Sequence, residues 1–95
     1  MGVGELGESS RLFAALSDPA RLRILELLDQ HQICVCELAP KLKLSQPTVS
    51  YHVRLLSEAG LVTTRKEGTK VYCRAKRNIA RQAKLLVGMA RRVDQ

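Results

Sequence analysis

The fold of this chain is decided by residues 45–60, which read SQPTVSYHVRLLSEAG. Ser45 is typical of a helix N-cap, because its hydroxyl oxygen accepts a hydrogen bond from a free backbone N–H. Pro47 falls in the first turn, where a missing donor costs nothing, and Gly60 suits the left-handed residue that follows a helix. Between these ends, apolar residues at i, i+4 and i+7 predict one buried face: Val49, Val53 and Leu56.

The opposite face of this predicted helix is polar. Its amide, hydroxyl, phenol and guanidinium groups can hydrogen-bond base edges and phosphates in a DNA major groove. An ordinary amphipathic helix with a solvated face would show the same pattern, so the neighbouring segments have to decide between the two. If the helix reads DNA, the contacts are expected from Ser45, Gln46, Thr48, Ser50, Tyr51 and Arg54.

The composition limits the classes of protein to which the chain can belong. Its 95 residues, 45% of them hydrophobic and only 3% aromatic, predict a single domain over residues 1–95 with an aliphatic core. The apolar runs are too short to span a membrane, and the N-terminus lacks the apolar region of a signal peptide. Three cysteines do not make a secreted disulfide framework, which favours a cytoplasmic location. No catalytic set of residues appears, so we predict that the protein is not an enzyme.

The net charge of +7 is unevenly distributed along the chain. Residues 1–33 carry a net charge of −2, and the remainder carries +9. The positive charge therefore lies in the part of the chain that contains the predicted helix of residues 45–60, called the reading helix below, and the residues that follow it. A polyanionic partner is expected, and nucleic acid is favoured over a membrane because no basic amphipathic anchor with bulky apolar residues is present.

The residues upstream of the reading helix predict two further helices. Residues 1–8 are rich in glycine, and we expect them to be frayed. Ser9 or Ser10 suits the N-cap of a first helix. Asp18 followed by Pro19 is typical of the cap and first position of a second helix, which is strongly apolar and expected at the centre of the domain.

A short strand and a third helix follow. Residues 33–35 are β-prone, and the residues after them have helical spacing. Pro40 has no N–H, so a helix that starts near Glu37 tolerates it, whereas an earlier start would lose a backbone hydrogen bond. The third helix, a turn and the capped helix of residues 45–60 together predict a helix-turn-helix.

After Gly60 the hydrophobic period changes from helical to alternating. Residues 61–65 and 69–73 are β-prone runs separated by residues 66–68, with Gly68 available for a positive φ. These runs predict a β-hairpin that forms a wing beside the reading helix. Its basic residues are placed to touch phosphates or a minor groove: Arg65, Lys66 and Lys70.

A last helix is predicted over residues 77–93. Its apolar residues recur seven apart with alanines between them, a narrow seam that fits packing against a twin helix from a second subunit. Packing back on its own domain is the alternative. The expected dimerisation residues are Phe13 of the first helix together with Ile79, Ala83, Leu86, Ala90 and Val93. The complete order is α-α-β-α-α-β-β-α, a mainly α fold with a small β wing.

Four segments in this order resemble the ArsR/SmtB family of metal-responsive bacterial and archaeal repressors. They read FAALSDPARLRIL at 13–25, ICVCEL at 33–38, SQPTVSYHVRLL at 45–56 and GLV at 60–62. The resemblance implies a homodimeric winged helix-turn-helix that sits on a pseudo-palindromic operator and leaves it when an inducer binds. Two-fold symmetry would place the two reading helices about 34–36 Å apart, one turn of DNA.

The expected inducer follows from the cysteines. Cys34-Val35-Cys36 is similar to the Cys-Val-Cys of the arsenic- and antimony-sensing branch, and also to that of the cadmium/lead branch. Thiolates are soft ligands that select thiophilic ions. If the third helix starts near Glu37, Cys34 and Cys36 stay extended and point to the same side. We expect As(III) or Sb(III) as inducer and no cofactor for DNA binding; two buried structural cysteines are the alternative.

The chain departs from the family pattern at three places. Arsenic sensors often carry a third cysteine where this chain has Ala39. The cadmium/lead branch adds N-terminal cysteines, and residues 1–10 contain none. The zinc and nickel branch uses Asp, His and Glu on the last helix, and residues 77–93 contain none of these. The departures favour a pyramidal As(III)- or Sb(III)-type ion held by few thiolates.

Cys73 is a candidate third ligand. The strand before the third helix is expected to pair with the second wing strand, which would bring Cys73 near Cys34 or Cys36. A core-facing cysteine is the alternative. Two other functions stay open at this point: a thiol-based redox or persulfide-responsive repressor on the same fold, and a sensor of the Cd/Pb type. A metal-buffering protein that binds no DNA is a third, and the charge of +9 and the helix-turn-helix spacing argue against it.

Overall fold

The computed structural model describes residues 6–29, 31–76 and 79–93, and its elements follow the predicted order. No helix in these ranges has both the length and the apolar character that crossing a membrane requires. The bounds are α1 Gly7–Leu16, α2 Pro19–Leu27, β1 Ile33–Cys34, α3 Val35–Leu42, α4 Gln46–Glu58, β2 Val62–Glu67, β3 Lys70–Ala75 and α5 Ile79–Val93.

Helix α4 forms as its end signals predict. The Ser45 side chain accepts a hydrogen bond from the backbone N–H of Thr48 at 3.3 Å. At the other end Gly60 has a φ of 78°, and the N–H of Leu61 bonds to the carbonyl of Leu56 at 2.9 Å, which satisfies a carbonyl that the helix leaves free. The predicted inner face is buried, with exposed fractions of at most 3%: Val49, Val53 and Leu56.

The start of α1 differs from the prediction. The helix begins at Gly7, and Leu6 at its N-cap position provides no side-chain hydrogen bond, so the prediction that Ser9 or Ser10 caps it is wrong. Residues 1–5 of the segment predicted to be frayed lie outside the described part of the chain. The cap of α2 is confirmed, since the Asp18 carboxylate accepts from the N–H of Ala20 at 2.8 Å.

The three strands form one antiparallel sheet in the order β1-β3-β2. Strand β1 pairs with β3, as predicted, with Ile33 opposite Cys73. The hairpin turn is shorter than predicted, because the strands pair as far as Glu67 and Lys70 and leave a two-residue loop. Gly68, the first loop residue, has a φ of 62°, and this positive φ is what so tight a hairpin requires there.

Helix α5 packs on α2, which corrects part of the predicted dimer seam. Ala83 is 3% exposed and belongs to the subunit's own core, and Ile79 packs against that core. The side chains of the other three predicted seam residues lie outside the described part of the chain. Three large apolar side chains on α1 and α5 are instead exposed: Phe13 at 69%, Leu85 at 62% and Met89 at 59%.

Candidate nucleic-acid interface and thiol site

The outer face of α4 presents its polar side chains to solvent. All six residues predicted to contact DNA on the cap and the helix are exposed. The Arg54 guanidinium lies 5.4 Å from the centre of the Tyr51 ring and 3.9 Å from the Glu58 carboxylate, so two neighbours orient it. The Ser45 hydroxyl donates to the Thr48 hydroxyl at 2.9 Å. This face offers donors and acceptors on a helix whose other side is anchored in the core.

The inner side of α4 is tied to the N-terminal helices by an arginine that sequence reasoning missed. Arg21 donates from Nε to the carbonyl of Ala15 at 2.8 Å and from Nη2 to that of Ala14 at 3.1 Å. Its Nη1 lies 3.2 Å from Nδ1 of His52, which is 9% exposed. Arginine only donates, so Nδ1 is the acceptor in this hydrogen bond. One side chain thereby fixes the end of α1 against the reading helix.

The wing presents its three predicted basic residues to solvent. The Arg65 guanidinium forms an ion pair with Glu67 and lies 5.1 Å from the centre of the Tyr72 ring. Lys66 and Lys70 are exposed as well. Lys70 is the first residue of β3, faces Glu67 across the turn, and lines a cleft together with residues of α3 and α4.

The thiols begin α3 in a geometry that differs from the prediction. Cys34 is extended and forms the N-cap, where its sulfur accepts from the N–H of Cys36 at 3.3 Å. The helix starts at Val35, so the predicted start near Glu37 is wrong and Cys36 is helical rather than extended. The sulfur cap explains the early start. Its consequence is that Pro40 lies inside the helix, where it donates no backbone bond to the Cys36 carbonyl.

Cys34 and Cys36 line a cleft between α3, the reading helix and the wing. The cleft has a volume of about 300 Å³. Gln46 and Ser50 of α4 line its second side, and Lys70 lines its third. The sequence alone did not reveal that the two thiols share one space with three predicted DNA contacts, because this depends on how the wing packs.

The two thiols of the cleft differ in acidity. Burial raises the pKa of Cys34, but hydrogen bonds from Cys36 and the positive charge of Lys70 outweigh it, so the pKa lies below its ordinary value. The pKa of Cys36 is raised, chiefly by its hydrogen bond with Cys34 and then by burial. Cys34 is therefore the first of the pair to become a thiolate, the form that binds metal ions.

Cys73 is placed differently from the other two cysteines. It is fully buried, and its thiol donates to the carbonyl of Ile33 at 3.3 Å. Burial, and then the charge of Cys34, raises its pKa to about 11. Among the described residues, no three side chains of His, Cys, Asp or Glu lie together in a group that would hold a metal ion. The structure brings Cys34 and Cys36 together and does not add Cys73 to them.

Comparison with known proteins identifies relatives that regulate transcription. An arsenical resistance operon repressor of Staphylococcus xylosus is 48% identical over 63 residues, covering 66% of this chain and 61% of its own length. That of Escherichia coli is 40% identical over 86 residues, covering 90% and 74%. A cadmium resistance regulatory homologue of Staphylococcus aureus is 41% identical over 64 residues, covering 66% and 53%. This chain spans about half to three quarters of these relatives.

The fold has close structural counterparts. The solution structure of a homodimeric winged helix-turn-helix DNA-binding domain from Mycobacterium bovis superposes with a TM-score of 0.80 and is 33% identical, covering 92% of this chain and 82% of that one. It confirms the winged helix-turn-helix class. The sequence model of the arsR family of bacterial regulatory proteins matches residues 18–64. The chain therefore belongs to the arsR family, whose members are DNA-binding transcriptional regulators and not enzymes.

Proposed function

We propose that this protein is a homodimeric repressor that binds operator DNA through α4 and the wing and releases it when As(III) or Sb(III) binds to Cys34 and Cys36. The observation that carries the proposal is the shared cleft. Both cysteines line the same cleft as Gln46 and Ser50 of the reading helix. An ion on the sulfurs therefore lies against groups that contact DNA.

The exposed face of α4 supports the DNA-binding part. Its polar residues project from a helix whose inner face is buried, so the reading surface is held rigidly, and residues 34–95 carry a net charge of +9. We assign base contacts to Gln46, Ser50 and Arg54 and phosphate contacts to Arg65, Lys66 and Lys70. Ser45, Thr48 and Tyr51 complete the predicted surface.

The exposed apolar residues support a homodimer. Phe13 projects from α1, and Leu85 and Met89 project from α5; both helices pack on α2. Such large apolar side chains gain free energy when a second copy covers them. The relative from M. bovis is a homodimer. In a dimer with two-fold symmetry, the reading helices would lie about 34–36 Å apart and fit successive major grooves.

The position of the thiols supports the release step. The Cys34 sulfur caps α3, and α3 packs directly on α4. An ion that draws both sulfurs onto itself would change the geometry of this cap. We infer that α3 tilts, that α4 follows, and that the two halves of the dimer then no longer fit the operator together.

The proposal is tested by fluorescence anisotropy with the upstream DNA of the gene. Arsenite and antimonite are titrated into the complex of the reduced protein, and Cd(II) and Zn(II) serve as competing candidates. We expect the metalloids to release wild-type protein but not Cys34→Ser or Cys36→Ser, since serine lacks the soft sulfur ligand; at position 34 serine still provides a cap acceptor. Release of the double serine variant by arsenite would show that the sensor lies elsewhere.

Cys73→Ser is the matched third variant. If Cys73 is a ligand, its replacement weakens As(III) binding and operator release as the other two replacements do. Unchanged affinity and release would remove it from the site and leave it as a core residue, which is the role that its bond to the Ile33 carbonyl supports.

A salt series tests the DNA contacts separately from the inducer. The logarithm of the binding constant is expected to fall with the logarithm of salt by about 0.9 per contacted phosphate. Lys66→Ala should therefore reduce this slope by about 0.9. Arg23→Ala, an exposed cation on α2 that is paired with Glu26, should leave the slope unchanged. A protein that is indifferent to DNA would instead support metal buffering.

A thiol-based switch is the second candidate, favoured by the acidity of Cys34 beside a second thiol. Oxidation or persulfide formation at this pair would alter the same cap. Mass spectrometry of the reduced protein after arsenite or polysulfide separates the two. A gain that matches arsenic supports the first function, and a gain of sulfur or a loss of two hydrogens supports the second.

A further inference from the structure

We propose that Lys70, Gln46 and Ser50 form an oxygen-binding wall opposite the two thiols, so that the cleft takes a trivalent metalloid oxyacid through two sulfurs and one retained hydroxyl. This inference rests on the proposed function and specifies the chemistry of its ligand. It makes the site a two-sulfur, one-oxygen site rather than a three-sulfur one.

The composition of the cleft supports the oxygen-binding wall. Cys34 and Cys36 line one side, and the other sides are lined by Lys70, Gln46 and Ser50, which carry an ammonium, an amide and a hydroxyl. All three of these groups can donate a hydrogen bond to an oxygen atom. The volume of about 300 Å³ holds a small oxyacid with room to spare.

The charge of Lys70 is close enough to act on both thiols. It lowers the pKa of Cys34 and opposes the rise in the pKa of Cys36. Lys70 also lines the same cleft as both cysteines, so a ligand held there by the sulfurs lies beside it. The turn at Gly68 and Thr69 sets this position, because it ends the β2–β3 pairing at Glu67 and Lys70.

A third sulfur is not directed into this space. Cys73 is fully buried, and its thiol is engaged by the Ile33 carbonyl. A trivalent metalloid that binds Cys34 and Cys36 thus keeps one oxygen, and that oxygen needs hydrogen-bonding partners inside the cleft. The oxygen-binding wall supplies them.

The binding step is a ligand exchange without a redox change. Arsenous acid carries three hydroxyls. Two As–O bonds break and two As–S bonds form, and each thiol proton leaves with a hydroxyl as water. Two waters are released, arsenic stays trivalent, and one hydroxyl remains on it. That hydroxyl is the group that Lys70 would bind.

The test compares two trivalent arsenicals on the full, reduced protein. Arsenite keeps one hydroxyl after it has bound two thiols, whereas hydrated phenylarsine oxide exchanges both of its hydroxyls and keeps only the phenyl group. Lys70→Met should weaken arsenite binding about tenfold more than phenylarsine oxide binding, because the loss of its effect on the Cys34 pKa acts on both arsenicals alike. Lys70→Arg should restore most of the loss. Lys76→Met, an exposed lysine just beyond the other end of β3, is the matched control and should change neither.

X-ray absorption at the arsenic edge gives an independent readout on the wild-type complex. Two sulfur neighbours and one oxygen neighbour support the proposal, and three sulfur neighbours overturn it. An equal effect of Lys70→Met on both arsenicals, or none on either, also overturns it while leaving the proposed function intact. Failure of wild-type protein to bind either arsenical at Cys34 and Cys36 would overturn both this proposal and the proposed function.

Discussion

The two helices of the helix-turn-helix start in the same way but are held very differently. Helix α4 has a hydroxyl cap from Ser45, and its proline is in the first turn. Helix α3 has a sulfur cap from Cys34, and Pro40 lies inside it. The residue after α4 that takes a positive φ is Gly60, whereas at the end of α3 it is Lys43, with a φ of 57°.

These differences in cap, proline and positive φ indicate that the two helices have different roles. In α4 each local signal agrees with the structure, which suits a surface that has to keep its shape against DNA. In α3 the cap is a weak acceptor, the first turn lacks a backbone bond, and the residue that follows the helix, Lys43, is strained. The helix that carries the thiols is thus the less firmly fixed of the two. A ligand that binds the Cys34 sulfur therefore needs less free energy to move this helix.

The largest expected effect of a substitution tests whether the two helices are anchored equally in the core. Leu38 of α3 and Leu56 of α4 are both 0% exposed. Leu38→Ala and Leu56→Ala should each lower the free energy of unfolding by about 3 kcal/mol, because each removes buried methyl groups and leaves a cavity. Urea unfolding of the two variants measures this. A loss below about 1 kcal/mol for Leu38→Ala alone would mean that α3 is loose in its core contacts as well as at its ends.

The next effect concerns the buried Cys73, whose thiol bonds to the carbonyl of Ile33 in the strand just before α3. Because Cys73 in the folded protein has a pKa of about 11, the folded state keeps its proton after an unfolded chain has lost it near pH 8.5. The free energy of unfolding should therefore fall between about pH 8.5 and 11, by up to about 1.4 kcal/mol per pH unit, and this contribution should be intact below that window.

Urea unfolding under reducing conditions across this pH range measures the effect. Cys73→Ala is the control, since it removes the titrating group at the same site. The difference between the wild-type and variant slopes isolates Cys73 from the tyrosines and lysines. Parallel slopes would show that the thiol titrates normally and that β1 is held without it.

The sequence predicts α4 more accurately than α3. The oxygen caps at Ser45 and Asp18 have strong local preferences, and both were predicted correctly. The start of α3 was not, because a cysteine sulfur is a weak acceptor and rarely read as a cap. The pairing of β1 with β3 was predicted, but the place of Lys70 beside the thiols depends on tertiary packing that no local pattern reports.

The last helix shows a second limit. A seven-residue repeat indicates that a stripe is buried but not which subunit covers it, and Ala83 proves to face its own core. The exposed residues Leu85 and Met89 lie on a different side of the same helix. Only the packing of α5 on α2 distinguishes the two sides.

Two substitutions at the C-terminal ends of α4 and α3 are expected to change the free energy of unfolding in opposite directions. Gly60→Ala should destabilise by about 1 kcal/mol, from its φ alone, because the nearest atom to an added Cβ is a flexible lysine Nζ at 4.0 Å. Lys43→Gly should stabilise by about 0.5 kcal/mol, since relief of the positive φ exceeds the added entropy of the unfolded chain. Thermal unfolding compares them, and two changes of the same sign would contradict the assignment.

The smallest expected change in stability comes from Pro40→Ala. The new N–H would donate to the Cys36 carbonyl, and such a bond contributes about 1 kcal/mol net. Loss of the proline also frees the unfolded chain, which costs about 0.4–1 kcal/mol, so the free energy of unfolding should change by less than about 1 kcal/mol. The local effect is clearer, because the new amide at position 40 should exchange its hydrogen slowly. If NMR shows it exchanging as fast as an unprotected amide, the first turn of α3 does not close even when its donor is restored. The contrast with α4 would then stem from the sulfur cap and not from the proline.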